Sequence, residues 1–427
     1  MTNRFEKYGL EFEEYGTKKN NTLISVFCLT YNHSKYIRET LEGFRTQITK
    51  VPIEVFIYDD SSTDGTSEIV KEFCVKYPEI YHAIIAKKNI YGTILWRKIN
   101  LELRKENLLG KYVALCEGDD YWCDEYKLQK QYDLMENNKN ISLCFHNAKR
   151  INYENCKEDL VISRLKNGIV PARENVFAEK GWPPTASIMY RNDSTVYKSD
   201  VYKNLPVGDL PLRFWLMLNG DVYYIDEVMS VYNYMHPGSW NNTQKNSLEK
   251  QTSFLLNLVD YLIFFRNCAD DTYREFLTEL LMAKISELCV VRPNEPVDEY
   301  FNRIDKYTEL FGKDIRRIFN IYMIVNSHLC VDFDSYLLGV LRKWKGKKYI
   351  YGAGIESKKM YRRIKGFGED IDGFIVTRAD NNKILCGKKI IGYSKDTNES
   401  LIILGMNVEN CFEVTNMLTR DGVINIY

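Results

Sequence analysis

Val55-Phe56-Ile57-Tyr58-Asp59-Asp60-Ser61-Ser62-Thr63-Asp64-Gly65-Thr66 runs from a short apolar, β-prone segment into an acidic turn closed by glycine. A helical pattern takes over from Thr66 to Tyr77, so the stretch is one strand-turn-helix unit. Upstream, Leu23 to Leu29 is a second apolar run, followed from Tyr36 to Thr46 by helical spacing at Ile37, Leu41 and Phe44. Downstream, Ala83–Ala86 and Tyr112–Cys116 read as further strands. Strand and helix alternate from Leu23 to about Leu134, which predicts an α/β fold with a mostly parallel sheet flanked by helices. Such sheets bind ligands beyond the carboxyl ends of their strands.

At 427 residues the chain exceeds one ordinary core. Ser247 to Trp344 changes to long helical periodicities, and from Lys347 the alternation returns through Tyr349-Ile350-Tyr351, a Gly352-Ala353-Gly354 turn and a helix to Lys365. Strands are expected near Gly373–Val376, Leu401–Leu404 and Val423–Ile426. The expected organisation is therefore a polar extension (1–21), an α/β domain (22–245), a helical segment (246–345) and a small Rossmann-like α/β domain (346–427).

Composition narrows the partners. Lys plus Arg and Asp plus Glu both number 58, so no broad basic field exists to hold a nucleic acid. Eleven cysteines without a CxxC pair argue against a zinc module or a disulfide framework and fit reduced thiols in a cytoplasm. No run of about 18 uncharged apolar residues occurs, so no transmembrane segment is expected and any membrane association is peripheral, on the inner face.

Acidic residues fall where a parallel-sheet enzyme places its chemistry. Asp59 and Asp60 follow one strand, Asp119 and Asp120 follow Tyr112–Cys116, and Asp209 precedes a helical run. Any one cluster also reads as turn formers or caps. Together they line a site that could hold an anionic pyrophosphate only with a divalent cation between, so Mg²⁺ or Mn²⁺ is expected.

On these residues Leu23 to about Ser239 resembles a family-two glycosyltransferase of the GT-A fold, of the bacterial polysaccharide-assembly kind. Ile24-Ser25-Val26-Phe27-Cys28-Leu29-Thr30-Tyr31-Asn32-His33 resembles the family's first strand and nucleotide-edge loop. Asp59 to Thr66 matches its acidic turn, with Ser61 in place of the usual Gly. Glu117-Gly118-Asp119-Asp120-Tyr121-Trp122 stands at its DXD position, and Gly208-Asp209 where a Glu-Asp or Gly-Asp pair carries the catalytic base. Tyr232 to Ser239 resembles a Tyr-Arg-x-His element, with Asn233 replacing Arg.

The resemblance implies an inverting transfer from a nucleotide diphosphate sugar, a UDP-sugar, to a hydroxyl of a glycan or lipid-linked glycan in surface polysaccharide synthesis. Thr30 and Tyr31 would line the nucleoside pocket, Asp60 would meet base or ribose with Asp59 in support, and Asp119 would face the ribose or the metal's water shell. Asp120 would bind the metal, His236 would complete its shell or touch a phosphate, and Asp209 would take the acceptor proton. Asn89 and Arg97 lie where the family places groups that meet nucleotide or donor, and surface capping explains them equally. Trp182 and Thr185 lie where the acceptor side begins, Trp182 as a stacking platform or a buried ring.

Gly352-x-Gly354-x-x-Ser357 could present backbone N–H groups to a phosphate, although packing or homo-oligomerisation accounts for that unit as well. Two other classes stay open. A sugar nucleotidyltransferase would carry a Gly-rich basic loop after the first strand, where Thr30-Tyr31-Asn32-His33 stands; a non-catalytic carbohydrate-binding scaffold would not need the Asp60, Asp120 and Asp209 set.

Overall fold

Eleven strands build the amino-terminal sheet of the computed structural model: β1 (Phe12–Gly16), β2 (Ile24–Thr30), β3 (Ile53–Asp59), β4 (Tyr81–Ala86), β5 (Tyr112–Leu115), β6 (Tyr121–Trp122), β7 (Ile141–Asn152), β8 (Lys157–Leu160), β9 (Gly168–Ile169), β10 (Met189–Arg191) and β11 (Asp221–Tyr234). The structure describes residues 8–290 and 333–423, less 20, 179, 198–200, 202–207, 246, 379–382, 395–396, 398, 407–413, 415–416, 419–420 and 422. The chain divides into two compact units, 1–280 and 281–427.

In the first unit the strand order is β1-β4-β3-β2-β5-β10-β7-β11-β6. Strands β4, β3, β2 and β5 run parallel, and β4 and β5 are buried along their whole length, as strands covered on both faces must be. This explains why they read as continuous apolar runs instead of alternating. Helices α1 (Ile37–Arg45), α2 (Thr66–Lys76), α3 (Ile94–Asn107) and α4 (Lys127–Asn137) follow in chain order. Ile37, Leu41, Phe44, Val70, Phe73, Leu128 and Met135 join Val26, Ile57, Ala83 and Ala114 in one core.

Beyond β5 the sheet turns mixed. β10 is antiparallel to both β5 and β7, β11 is parallel to β7, and β6 pairs with the far part of β11 at Ser230 and Val231. That pairing brings the end of β11 beside the turn between β5 and β6. Within the stretch read as a polar extension, β1 forms an edge strand antiparallel to β4. Gly16 lets it close there: its φ is +79°, and a Cβ would lie 2.1 Å from the Tyr81 carbonyl oxygen.

Short α5 (Ala172–Phe177), α6 (Asp209–Leu218) and α7 (Trp240–Lys245) precede two long helices, α8 (Leu248–Cys268) and α9 (Asp271–Val290). The first unit ends inside α9, so α8 is part of it. Residues 291–332 of the expected helical segment lie outside the described residues. Among the described residues no helix is long and apolar enough to cross a membrane.

The second unit has α10 (Phe333–Lys343), α11 (Ile355–Gly366) and strands β12 (Lys348–Tyr351), β13 (Gly373–Val376), β14 (Ile384–Leu385), β15 (Lys388–Gly392) and β16 (Leu401–Leu404). Its order is β14-β15-β13-β12-β16, parallel except for β14. Of the expected strand at 423–426, residues 424–426 lie outside the described residues.

Candidate active site

The turns after β2 and β3 are laced together by side chains that the acidic motif supplies. Asp59 faces inward: Oδ1 accepts from the Ser62 amide at 3.0 Å and hydroxyl at 2.6 Å, and Oδ2 accepts from Ser67 Oγ at 2.5 Å. Asp64 accepts from the Thr66 hydroxyl at 2.6 Å and the Ser34 amide at 2.9 Å. Burial raises the Asp64 carboxyl, and these hydrogen bonds outweigh it and hold the pKa at about 2. Asn32 completes the lacing, its amide donating to Ser62 Oγ at 2.9 Å while its Oδ1 accepts from the Thr63 amide at 2.8 Å.

Ser61 sits in this turn at φ +69°, the left-handed region where a side chain is strained. A β-branched residue fits that region worst, so Ser61→Val is expected to cost about 1–3 kcal/mol in urea unfolding while Ser61→Gly is tolerated. Equal stability of the Val and Gly variants would show that the turn does not hold this conformation.

Asp60 ties the turn to the loop after β4. Its carboxylate accepts from the Tyr58 hydroxyl at 3.1 Å and the Tyr91 amide at 2.9 Å, and both oxygens lie 3.2 Å from the Ile90 amide. Burial raises its pKa. Asn89 Nδ2 donates to the Asp60 carbonyl at 3.1 Å, so Asn89 braces the same loop. Thr30 is buried with its hydroxyl 3.2 Å from His33 Nδ1, whereas Tyr31 is 42% exposed and free to meet a ligand. Arg97 on α3 is half-buried, and burial lowers its pKa.

The acidic centre forms between β5 and β6, where one ligand atom each from Glu117, Asp119 and Asp120 lies within 4.8 Å of the others. Gly118 makes the turn possible, because a Cβ there would lie 2.5 Å from Thr30 Oγ1 and 2.7 Å from Thr30 Cβ. The Thr40 hydroxyl stands 2.7 Å from the Asp120 carbonyl oxygen and 3.1 Å from that of Gly118, fixing the turn to α1. Asp120 is 1% exposed; Oδ1 accepts from the Asn233 amide at 2.9 Å, and buried Oδ2 has no hydrogen-bond partner among the described residues. Burial first, and then the neighbouring carboxylates, push Asp120 and Glu117 well above the usual carboxylate range.

Asp119 goes the other way. Burial opposes its ionisation, but His33 and His236 hold its pKa down, with His236 Nε2 at 2.9 Å and His33 Nε2 at 3.6 Å from Oδ2. The other ring nitrogen of His236 lies 3.1 Å from the Pro237 carbonyl oxygen, so this histidine acts on the centre through Asp119. Asn233 Nδ2 also donates to the Asp119 carbonyl at 2.6 Å.

Three converging carboxylates, one with an orphaned buried oxygen, suit a hard divalent cation: carboxylate oxygens are its preferred ligands, and its charge would satisfy the oxygen that no protein donor reaches. Glu117, His33 and the Asn233 amide were not singled out as site groups from sequence. Glu117 had a signal, its place two residues before Asp119, while the Asn233 contact spans 113 residues and has none.

Asp209 is the first residue of α6, partly exposed, with Thr185 Oγ1 3.5 Å from its Oδ2. Its charge is among those that raise the Glu117 carboxyl and the Tyr91 hydroxyl, which places it near the acidic centre. Trp182 follows Gly181, whose φ is +122° and where a Cβ would lie 2.1 Å from the Val161 carbonyl oxygen, so a side chain is excluded there. Trp182 is 46% exposed, and the Arg213 guanidinium from α6 lies 3.9 Å from its ring centroid. Asp119, Asp120, Glu117 and Asp209 therefore share one region; Thr30 packs against its Gly118 turn, and Asp59 and Asn89 brace the turn after β3.

Residues 25–181 match the family model described as Glycosyl transferase family 2. An uncharacterized protein of Mycobacterium tuberculosis is 31% identical over 223 residues, which cover 51% of this chain and 61% of that protein. The Escherichia coli UDP-Glc:alpha-D-GlcNAc-diphosphoundecaprenol beta-1,3-glucosyltransferase WfaP is 27% identical, with 55% of this chain and 86% of WfaP covered. Among solved structures, Staphylococcus aureus TarS 1-349 in complex with UDP superposes with a TM-score of 0.51 at 17% identity, covering 74% of this chain and 89% of TarS 1-349, a likeness of fold. The chain thus spans about three fifths of the mycobacterial relative's length. The mostly parallel sheet, the acidic turn at the end of β3 and the carboxylate centre after β5 lie on the matched segment, so residues 25–181 form a glycosyl transferase family 2 domain, on a GT-A fold.

Proposed function

We propose that this protein transfers a sugar from a nucleotide diphosphate, a UDP-sugar, to a hydroxyl of a glycan or lipid-linked glycan, with inversion, in the assembly of a bacterial surface polysaccharide such as a capsule. The observation that carries this reading is the buried Asp120 Oδ2 without a partner inside the Glu117, Asp119 and Asp120 cluster. Asp120, with Asp119 and Glu117 beside it, would hold Mg²⁺ or Mn²⁺, whose charge offsets that of the departing nucleotide. Tyr31, at the edge of the laced turns, meets the nucleoside, and Asp60 keeps the Asn89–Thr93 loop in place for it. His33 and His236 keep Asp119 ionised and oriented. Asp209 stands at the acceptor side and takes the proton from the attacking hydroxyl, and Thr185 and Trp182 border that side.

The donor groups all lie within residues 22–245, which we take as the catalytic domain. The helices after it and the Rossmann-like 346–427 unit then serve acceptor delivery or self-association. A place in the cytoplasm, peripheral at the inner membrane face, suits a soluble donor and a lipid-linked acceptor.

Binding of metal to the folded state alone stabilises it by about 2.7 kcal/mol at a hundred times Kd. Mn²⁺ or Mg²⁺ is therefore expected to raise the Tm, and UDP to raise it further only when metal is present. Screening UDP-sugars for metal-dependent release of UDP completes the test. Release of pyrophosphate from a nucleoside triphosphate instead would mark a nucleotidyltransferase, and neither product would leave a binding scaffold.

A further inference from the structure

Arg213 is a buried charged group that the proposed transfer leaves unused. It lies one helical turn after Asp209 on α6, on the same face, and only 5% of it is exposed. Its Nε and Nη2 are buried and have no hydrogen-bond partner among the described residues. The Asp209 and Glu174 charges favour its ionised form, yet it makes an ion pair with neither among the described residues, and burial pulls its pKa down to about 9. The guanidinium is packed beneath the half-exposed Trp182 ring.

The two orphaned nitrogens form one edge of the guanidinium, the edge that receives an oxyanion through two parallel hydrogen bonds. Arg150 shows that use elsewhere in this protein, donating from Nε to Asp159 Oδ1 at 2.7 Å and from Nη2 to Oδ2 at 2.5 Å. A buried guanidinium with that edge empty is costly to keep unless something completes it. Two neutral waters would satisfy the hydrogens but not the charge.

We propose that Arg213 is the anion-binding residue of the acceptor site, and that the acceptor carries an oxyanion, a phosphate or a carboxylate, close to the hydroxyl that is glycosylated. The proposal rests on the glycosyltransferase reading above, with Asp209 marking the acceptor side. Trp182 covers the guanidinium in the free protein and turns outward as the anion enters, which places its ring against the acceptor sugar.

The test titrates the full chain saturated with Mn²⁺ and UDP, so that the donor site is filled and cannot take the probes. Tryptophan fluorescence follows sn-glycerol 3-phosphate against glycerol, and methyl glucuronide against methyl glucoside. At least one anion is expected to bind about tenfold or more tightly than its neutral partner. The pair that shows the preference distinguishes a phosphate-bearing from a uronate-bearing acceptor. Arg213→Met should erase the preference without lowering the Tm, because it replaces an unpaired buried charge with an apolar side chain of similar length.

Arg213→Lys should retain part of the preference, as a point charge without the fork. If the Met variant fails to fold, the wild-type comparison and the Lys variant still decide. No preference in the wild type, or a preference undiminished in a folded Arg213 variant, overturns the proposal. A wild type that binds no UDP with Mn²⁺ would sink the donor reading instead, a result distinguishable from either.

Discussion

Asp120→Asn is expected to abolish sugar transfer and donor hydrolysis, with a loss on the order of 10³-fold or more, since a divalent cation at a departing phosphate contributes several kcal/mol. The substitution is close to isosteric, and Asn Oδ1 can still accept from the Asn233 amide that holds Asp120 Oδ1 at 2.9 Å. The amide group would replace Oδ2, the oxygen with no protein donor, and would turn a ligand into a poor one. Glu117 and Asp120 are both pushed up by burial and by their acidic neighbours, so removing one charge relieves repulsion in the metal-free protein. Its metal-free Tm should therefore match or exceed that of the wild type, while the rise on adding Mn²⁺ disappears. Near-normal turnover with unchanged metal affinity would remove Asp120 from the metal site.

Asp209→Asn is expected to lower turnover by about 10² to 10⁴, the usual contribution of a positioned base, with donor affinity nearly unchanged. The contact between Thr185 Oγ1 and Asp209 Oδ2 can survive the change, so the helix start should keep its place. The two substitutions separate by what they disturb. Asp120→Asn should abolish metal-dependent binding of UDP, whereas Asp209→Asn should bind UDP normally and fail at transfer. If Asp209→Asn instead weakened donor binding and regained full turnover at high donor concentration, Asp209 would be a donor-binding residue and the base would lie elsewhere.

Much of the scaffold is legible in the chain because it is encoded by local burial. Continuous apolar runs such as Val55–Tyr58 became β3, Ile53–Asp59, and the helical spacing at Ile37, Leu41 and Phe44 became α1, Ile37–Arg45. A strand covered on both faces must be apolar throughout, and a surface helix must repeat its apolar face every 3.6 residues. The polar β1 escaped that signal: at the sheet edge its alternating residues need to be only half apolar, and its partner β4 is some 70 residues away in sequence.

The alternation of strand and helix, the acidic residues at strand ends and the motifs between Leu23 and Ser239 are readable along the chain, since each depends on residues close together in it. Which partners those acids meet is set by the packing of the folded chain. Asp59 and Asp60, adjacent and alike in sequence, point to different partners: Asp59 spends its oxygens on Ser62 and Ser67, and Asp60 pins the loop at Ile90 and Tyr91. Glu117 joins Asp119 and Asp120 because Gly118 permits a tight turn against Thr30. Asp120 is held by an amide 113 residues away, and Arg213, which reads in sequence as one polar residue in an apolar helix, is buried under Trp182 beside Asp209. Sequence patterns record which residues avoid water; which buried polar groups find partners depends on the packing of distant segments.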